Sequence, residues 1–349
     1  MKSKRNSYQV RKVSCVFLLL SSVLVVYTFN LHSRRNYSPG FMTALHEETR
    51  FRVHLCGYQF KTFAAAVFPE ADITKWHMNV TPACVHDVMI ASLPCEPVSV
   101  NDYPGTVLFV DGENGRMQQL AHPNLYYLGV KHPPRKVAGH LQLFHVAHTT
   151  LFHPYSATDF LQVHSRLAEN FLIYLNSNCV PFREKAYDSI VQLAVTHAMP
   201  TPAAAGKCHG NHAETSIYMN DRAGRILNVA DKLSKYRFAL VMENSNEEGY
   251  VSEKIANAFI AGTMPVYYGT TDIFSIFNKK RFIYFDVQHP EQALLQILAL
   301  ETNHTLLIET LKLPILADGE NTLKRFFSLT EDVGGGQLKH KIRSLIHKE

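Results

Sequence analysis

Between Tyr236 and Gly269 the chain reads YRFALVMENSNEEGYVSEKIANAFIAGTMPVYYG, which gathers Glu243, Asn244, Tyr250, Glu253 and Lys254 between two apolar runs. Ser252 is a natural N-cap, Glu253 stands in the first helical turn, and Ile255, Ala258, Phe259 and Gly262 follow at helical spacing. The segment therefore predicts strand, polar loop, helix, strand. A helix amino terminus presents unpaired N–H groups and partial positive charge, which suit a phosphate, and Lys254 adds a full charge beside it. Glu253 is placed to accept hydrogen bonds from ribose hydroxyls, as carboxylates do in dinucleotide folds. A solvated Glu-Lys helix start is the competing reading of the same pattern.

The elements that must carry this segment are short apolar runs at 51–58, 86–93, 106–112, 170–178, 236–244, 263–269 and 280–287, with helical patterns at 183–197 and 253–261. Strands alternating with helices predict parallel sheets, whose carboxyl ends bind ligands. With 349 residues, 46% of them hydrophobic and 19% charged, the chain can form two medium domains. We divide it into an α/β unit over 51–165 and a second over 166–349, whose basic amphipathic tail after the Gly334–Gly336 run closes the domain. The composition excludes a disordered or fibrous protein, and nothing in the charge pattern points to nucleic acid.

The first residues have a different character. Lys2, Lys4, Arg5, Arg11 and Lys12 precede an uncharged run from Val13 to Leu31 that is long enough for one membrane-spanning helix. The bulky residues at its end (Tyr27, Phe29, Leu31) lack a small-residue cleavage pattern, so an uncleaved signal anchor is expected in place of a removed signal peptide. The charge bias keeps residues 1–12 cytoplasmic, and a stem over 32–50 leads to a luminal catalytic part. Sequons at Asn36, Asn79 and Asn303 are compatible with that address, although Pro82 makes Asn79 a poor acceptor. Of the six cysteines, Cys15 falls in the span and leaves an odd number outside, so one free or inter-chain thiol is expected. Cys84 and Cys95 form the candidate local disulfide.

The stretches YRFALVMEN, Tyr250 with SEKI, and GTMPVYYG resemble the signature of the α1,3/α1,4-fucosyltransferases, glycosyltransferase family 10. Met242 and Ser252 depart from the usual Phe and Thr without removing a charge. The resemblance implies a GT-B fold, two Rossmann-like domains facing a cleft, with GDP-fucose on the carboxy-terminal domain and the acceptor on the other. It implies that Lys254 contacts the diphosphate, Glu253 the ribose, and Asn244 and Tyr250 the donor's sugar and phosphate region. NSNCVPFREKAYDSI (176–190) is similar to a family helix start, which would make Arg183 a second cation on the diphosphate. TVLFVDGENG (106–115) resembles a Gly-Glu-Asn motif whose Glu is the proposed general base, here Glu113. "GRM" after Asn114 departs from the bacterial pattern and leaves the acceptor geometry open.

The same resemblance implies an inverting transfer of L-fucose from GDP-β-L-fucose to an N-acetylglucosamine hydroxyl, α1,3 by family expectation, on a glycoprotein or glycolipid in the Golgi. No tightly bound cofactor is expected, and since no Asp-x-Asp motif occurs, neither is a structurally required divalent metal. The histidine-rich HLQLFHVAHTTLFH (140–153) lacks a metalloprotease glutamate and fits a sheet-facing or acceptor-lining segment. Two alternatives keep the same anchored fold: a different sugar-nucleotide donor, or a glycan-binding protein without catalysis.

Overall fold

The computed structural model describes residues 51–57, 60–77, 83–111, 120–133, 136–152, 156–209 and 229–346. Within them the chain forms two wholly parallel sheets. The first has six strands, β1 (Arg52–Cys56), β2 (Asp72–Lys75), β3 (Val88–Ala91), β4 (Thr106–Asp111), β5 (Leu125–Gly129) and β6 (Gly139–Gln142), in the order β2-β1-β3-β4-β5-β6. Val88–Ala91 and Leu125–Gly129 are buried along their whole length, as expected of central parallel strands covered on both faces. The edge strands β2 and β6 are half exposed and carry polar residues.

Helix α1 (Lys61–Val67) packs Phe63, Ala64 and Val67 inward, α2 (Pro97–Asn101) buries Val100 on the opposite face, and α3 (His145–Thr149) follows β6. The second sheet comprises β7 (Asn170–Asn176), β8 (Ala203–Gly206), β9 (Tyr236–Met242), β10 (Met264–Tyr268) and β11 (Ile283–Tyr284), ordered β11-β10-β9-β7-β8. One of its faces is covered by α4 (Pro181–Thr196), α6 (Glu291–Thr302) and α7 (His304–Leu311) through Ile190, Ile297 and Leu307. The other is covered by α5 (Glu253–Ile260), whose Ile255, Ala258 and Phe259 enter a core that also contains Val53, Leu128 and Phe144 of the first unit. One apolar core thus runs beneath both sheets.

The first sheet ends at Gln142 and the second begins at Asn170. The tail does not close the second unit alone. After α8 (Gly319–Phe326), α9 (Gln337–Ile346) crosses to the first unit, where Arg343 pairs with Glu70 and stacks over the Phe68 ring at 5.8 Å. Leu345 abuts Gly139 so closely that a Cβ there would lie 2.8 Å from it.

Cys95 pairs with Cys56, at a Cα–Cα distance of 5.2 Å, and not with Cys84. The parallel register sets Cys56 level with Ala91, and a turn closed by Cys95 N–H to Ser92 C=O returns Cys95 to the end of β1. Nearness in sequence misdirected the expectation; strand register decides the pairing. A second bridge joins Cys179 and Cys208, and among the described residues no cysteine is free, so the expected odd thiol is not found there. Among the described residues no helix is long and apolar enough to cross a membrane. The expected tail, span and stem (1–50), with Asn36, lie outside the described residues, as does Asn79. Asn303 is exposed and caps α7, its side-chain oxygen accepting from Leu306 N–H at 3.0 Å.

Candidate functional site

The register of β9 and β10 sets Met242 opposite Tyr268, so Glu243 begins its loop at the carboxyl edge of the second sheet, fastened by Glu243 N–H to Tyr268 C=O at 2.7 Å. Glu243 is fully buried. Its Oε1 accepts from Ser252 N–H at 2.7 Å, and its Oε2 accepts from Ser252 Oγ at 2.7 Å and Lys254 Nζ at 3.0 Å. Lys254 Nζ also donates to Ser252 Oγ at 2.9 Å. Burial works against the Lys254 charge, but Glu243 foremost, with Glu253 and Tyr250, holds its pKa above the ordinary lysine value. The Lys254 side chain as a whole is 23% exposed, so it is not sealed from the rim.

Glu253 opens α5 and is 32% exposed. Burial alone would raise its carboxyl, but Lys254 and His145 outweigh that and keep it well below the usual carboxylate range. Its Oε2 lies 3.4 Å from His145 Nε2, which reaches it from the first residue of α3 in the other unit. The site thus offers a charged lysine, an ionised carboxylate and a helix amino terminus on one rim. That combination fits a diphosphate joined to a ribose.

Arg183, expected as a second cation on the diphosphate, turns its guanidinium to the protein's own strand ends. Its side chain is wholly buried, with Nε donating to Glu243 C=O at 3.2 Å, Nη1 to Asn178 C=O at 3.2 Å, and Nη2 to Met242 C=O and to Asn244 Oδ1 at 2.7 Å. Burial pushes its pKa below the ordinary arginine value. The guanidinium braces the strand end that launches Glu243 and Asn244, and Asn244 itself remains exposed on the rim. Tyr250 is buried, its ring 6.4 Å from that of His145. Glu113 lies outside the described residues. Its strand delivers Asp111 to the carboxyl edge of the first sheet, where Tyr127 Oη donates to the buried carboxylate at 2.9 Å.

Three contributors were not read from the sequence. Asp272 accepts from Gly249 N–H at 2.6 Å and Thr270 Oγ1 at 2.9 Å, tying the 243–251 loop to the end of β10. Lys131 of the first unit pairs with Glu247 of the 243–251 loop. His145 comes from the histidine-rich segment, whose His140 also meets His132 of the preceding loop at 3.1 Å. No local pattern marks the contacts of Asp272 with Gly249, Lys131 with Glu247 or His145 with Glu253, because each joins distant parts of the chain. The carboxyl edges of both sheets therefore meet across the 243–251 loop.

These features define an α/β protein of two parallel sheets with an anion-receptive helix start where their carboxyl edges meet. Residues 169–310 match the model of glycosyltransferase family 10 (fucosyltransferase), carboxy-terminal part. It is 28% identical over 113 residues to an alpha-(1,4)-fucosyltransferase of Arabidopsis thaliana, covering 29% of this chain and 27% of the relative. It is 28% identical over 134 residues to the GDP-fucose protein O-fucosyltransferase 3 of Gallus gallus, covering 38% and 27%. The chain thus aligns with only about a quarter of the length of these curated relatives. A crystal structure of an alpha1,3-fucosyltransferase with GDP-fucose superposes with a TM-score of 0.55 at 15% identity, over 90% of this chain and 93% of that one. At that identity the likeness is one of fold.

Proposed function

We propose that the protein is an inverting glycosyltransferase that moves L-fucose from GDP-β-L-fucose to a hydroxyl of N-acetylglucosamine in a glycoprotein or glycolipid glycan, in α1,3 linkage. The observation that carries this reading is the Glu243–Ser252–Lys254 network, which fixes a charged, reachable lysine at a helix start inside the family 10 domain. Lys254 and the helix N–H groups contact the diphosphate, and Glu253 the ribose. Negative charge grows on the leaving GDP as the glycosidic bond breaks, so a cation fixed beforehand lowers the barrier more than it tightens ground-state binding. Lys254 takes the electrostatic role that a divalent metal plays in other transferases. Asn244 and Tyr250 face the sugar and phosphate region, with Arg183 holding Asn244 in place. Glu113 receives the acceptor's proton as the sugar is attacked from the face opposite GDP. The proposed address is the Golgi membrane, single-pass type II, with both sheets in the lumen.

The likeness to a protein O-fucosyltransferase favours a second reading in which the acceptor is a protein hydroxyl. The test is incubation of the full chain in detergent with GDP-fucose and an array of glycans and folded protein acceptors, with Lys254→Ala as the control. Transfer to an N-acetylglucosamine glycan supports the first reading, and transfer only to protein hydroxyls replaces it with the second. No transfer to any acceptor, with GDP-fucose still bound, supports a non-catalytic binding protein, whereas turnover of another sugar nucleotide alone changes the donor.

A further inference from the structure

We propose that His145, contributed by the first unit, is a positioning residue for Glu253 at the donor site of the second. The inference rests on the GDP-fucose reading of that site and adds a residue that neither the family pattern nor the sequence motifs assign.

His145 is the first residue of α3, a helix fixed on both sides of the seam. Val146 and Ala147 are buried in the shared core, and Val146 N–H donates to Val251 C=O at 2.8 Å, just before the Ser252 cap. This backbone bond sets α3 and the start of α5 at one height. His145 Nε2 then lies 3.4 Å from Glu253 Oε2, with the Tyr250 ring beside it at 6.4 Å. Neither side chain is sealed: His145 is 20% exposed and Glu253 32%. A ligand on the rim therefore meets the Glu253 carboxylate in the orientation that His145 gives it.

Glu253 differs in this from Lys254. Lys254 is oriented from within its own unit, by Glu243 and Ser252. Glu253 is oriented across the seam. A carboxylate that accepts from ribose hydroxyls must keep one oxygen turned to them, and a free side chain at a helix start loses rotamer entropy when it does so. His145 bears that loss before the donor arrives, which is preorganisation. The donor site of the second unit is completed by a side chain of the first.

The test is calorimetric titration of GDP into the full chain in detergent, with parallel kinetics on GDP-fucose, for the wild type, His145→Ala, His145→Gln, Glu253→Gln and the His145→Ala/Glu253→Gln double variant. Loss of one charge-assisted contact predicts that His145→Ala weakens GDP binding about tenfold and raises the donor KM with a smaller change in kcat. His145→Gln, whose amide can still donate to the carboxylate, recovers most of the loss. The double variant binds no worse than Glu253→Gln, because the two residues act through one contact. Wild-type binding of GDP together with undiminished binding by His145→Ala overturns this proposal alone, as does a double variant whose losses multiply. A wild type that binds no GDP overturns the donor reading and this proposal with it.

Discussion

Lys254 Nζ stands 3.0 Å from the Oε2 of Glu243, a fully buried carboxylate eleven residues upstream that also takes both the N–H and the hydroxyl of Ser252. Glu243 therefore holds the helix start and its cation together. Glu243→Ala leaves a lysine and two Ser252 donors without their acceptor. Breaking such a network costs about 3–5 kcal/mol when both ions are sealed, and partial exposure of Lys254 puts this case near the lower end. Denaturant unfolding measures the loss, and Ser252→Ala should show a smaller one of about 1 kcal/mol, typical of a lost N-cap.

Arg183 gives a prediction that separates a brace from a ligand contact. A surface phosphate contact would leave stability unchanged when replaced. A buried guanidinium that donates to the carbonyls of Met242, Glu243 and Asn178 would not. Arg183→Met is expected to lose about 3 kcal/mol or more, because several buried acceptors lose their donor at once. Thermal or denaturant unfolding of the variant without any nucleotide decides between the two roles.

The apolar runs Val88–Ala91, Thr106–Asp111, Asn170–Asn176 and Tyr236–Met242 were legible as strands because parallel strands covered on both faces carry continuous hydrophobic sequence. Asp72–Lys75 and Gly139–Gln142 were not legible, since edge strands are half exposed and read as polar loop. Ala203–Gly206 is made of residues too small to signal a strand. Leu125–Gly129 did carry a signal, the apolar and aromatic run Leu-Tyr-Tyr-Leu, and was missed. At the site, the Ser252–Lys254 helix start was readable because capping is local. The burial of Arg183 was not, because it depends on carbonyls about sixty residues further along. Nor was the burial of Glu243 or the meeting of His145 with Glu253, since tertiary packing alone creates them.

Gly249 tests the seam between the units. Its φ is +73°, and a Cβ there would lie 1.6 Å from the Val130 carbonyl oxygen. Gly249→Ala meets both a backbone penalty of about 1 kcal/mol and a contact with main chain that cannot turn aside. The 243–251 loop should move away from the first sheet, and limited proteolysis should cleave the variant there faster than the wild type. Lys131→Ala removes only a partly exposed pair and should cost less than about 1 kcal/mol.

Asp87 supplies the pH dependence. It accepts from Arg52 Nη2 at 2.9 Å and Cys84 N–H at 2.8 Å, and its Oδ2 lies 3.3 Å from the buried His54 Nε2. Burial would raise its pKa, but His54, the Cys84 amide and Arg52 together lower it below 3.8. A depressed carboxylate adds stability that is fully present above 3.8 and is lost as pH falls through the folded value. Wild-type stability should therefore fall with acid below 3.8, and Asp87→Asn should start about 2 kcal/mol lower at neutral pH and fall less steeply. Urea unfolding at neutral pH and at pH values below 3.8 checks both statements.

The proposed donor site requires that a lysine fixed at a helix start hold the diphosphate of a GDP-sugar. Calorimetric titration of GDP-fucose into the full chain in detergent tests it, with Lys254→Ala and Lys254→Arg compared after each is shown to unfold cooperatively. Loss of a partly desolvated charge contact predicts that Lys254→Ala binds at least about tenfold more weakly, with Lys254→Arg between it and the wild type. A folded Lys254→Ala chain that binds GDP-fucose as tightly as the wild type contradicts the account.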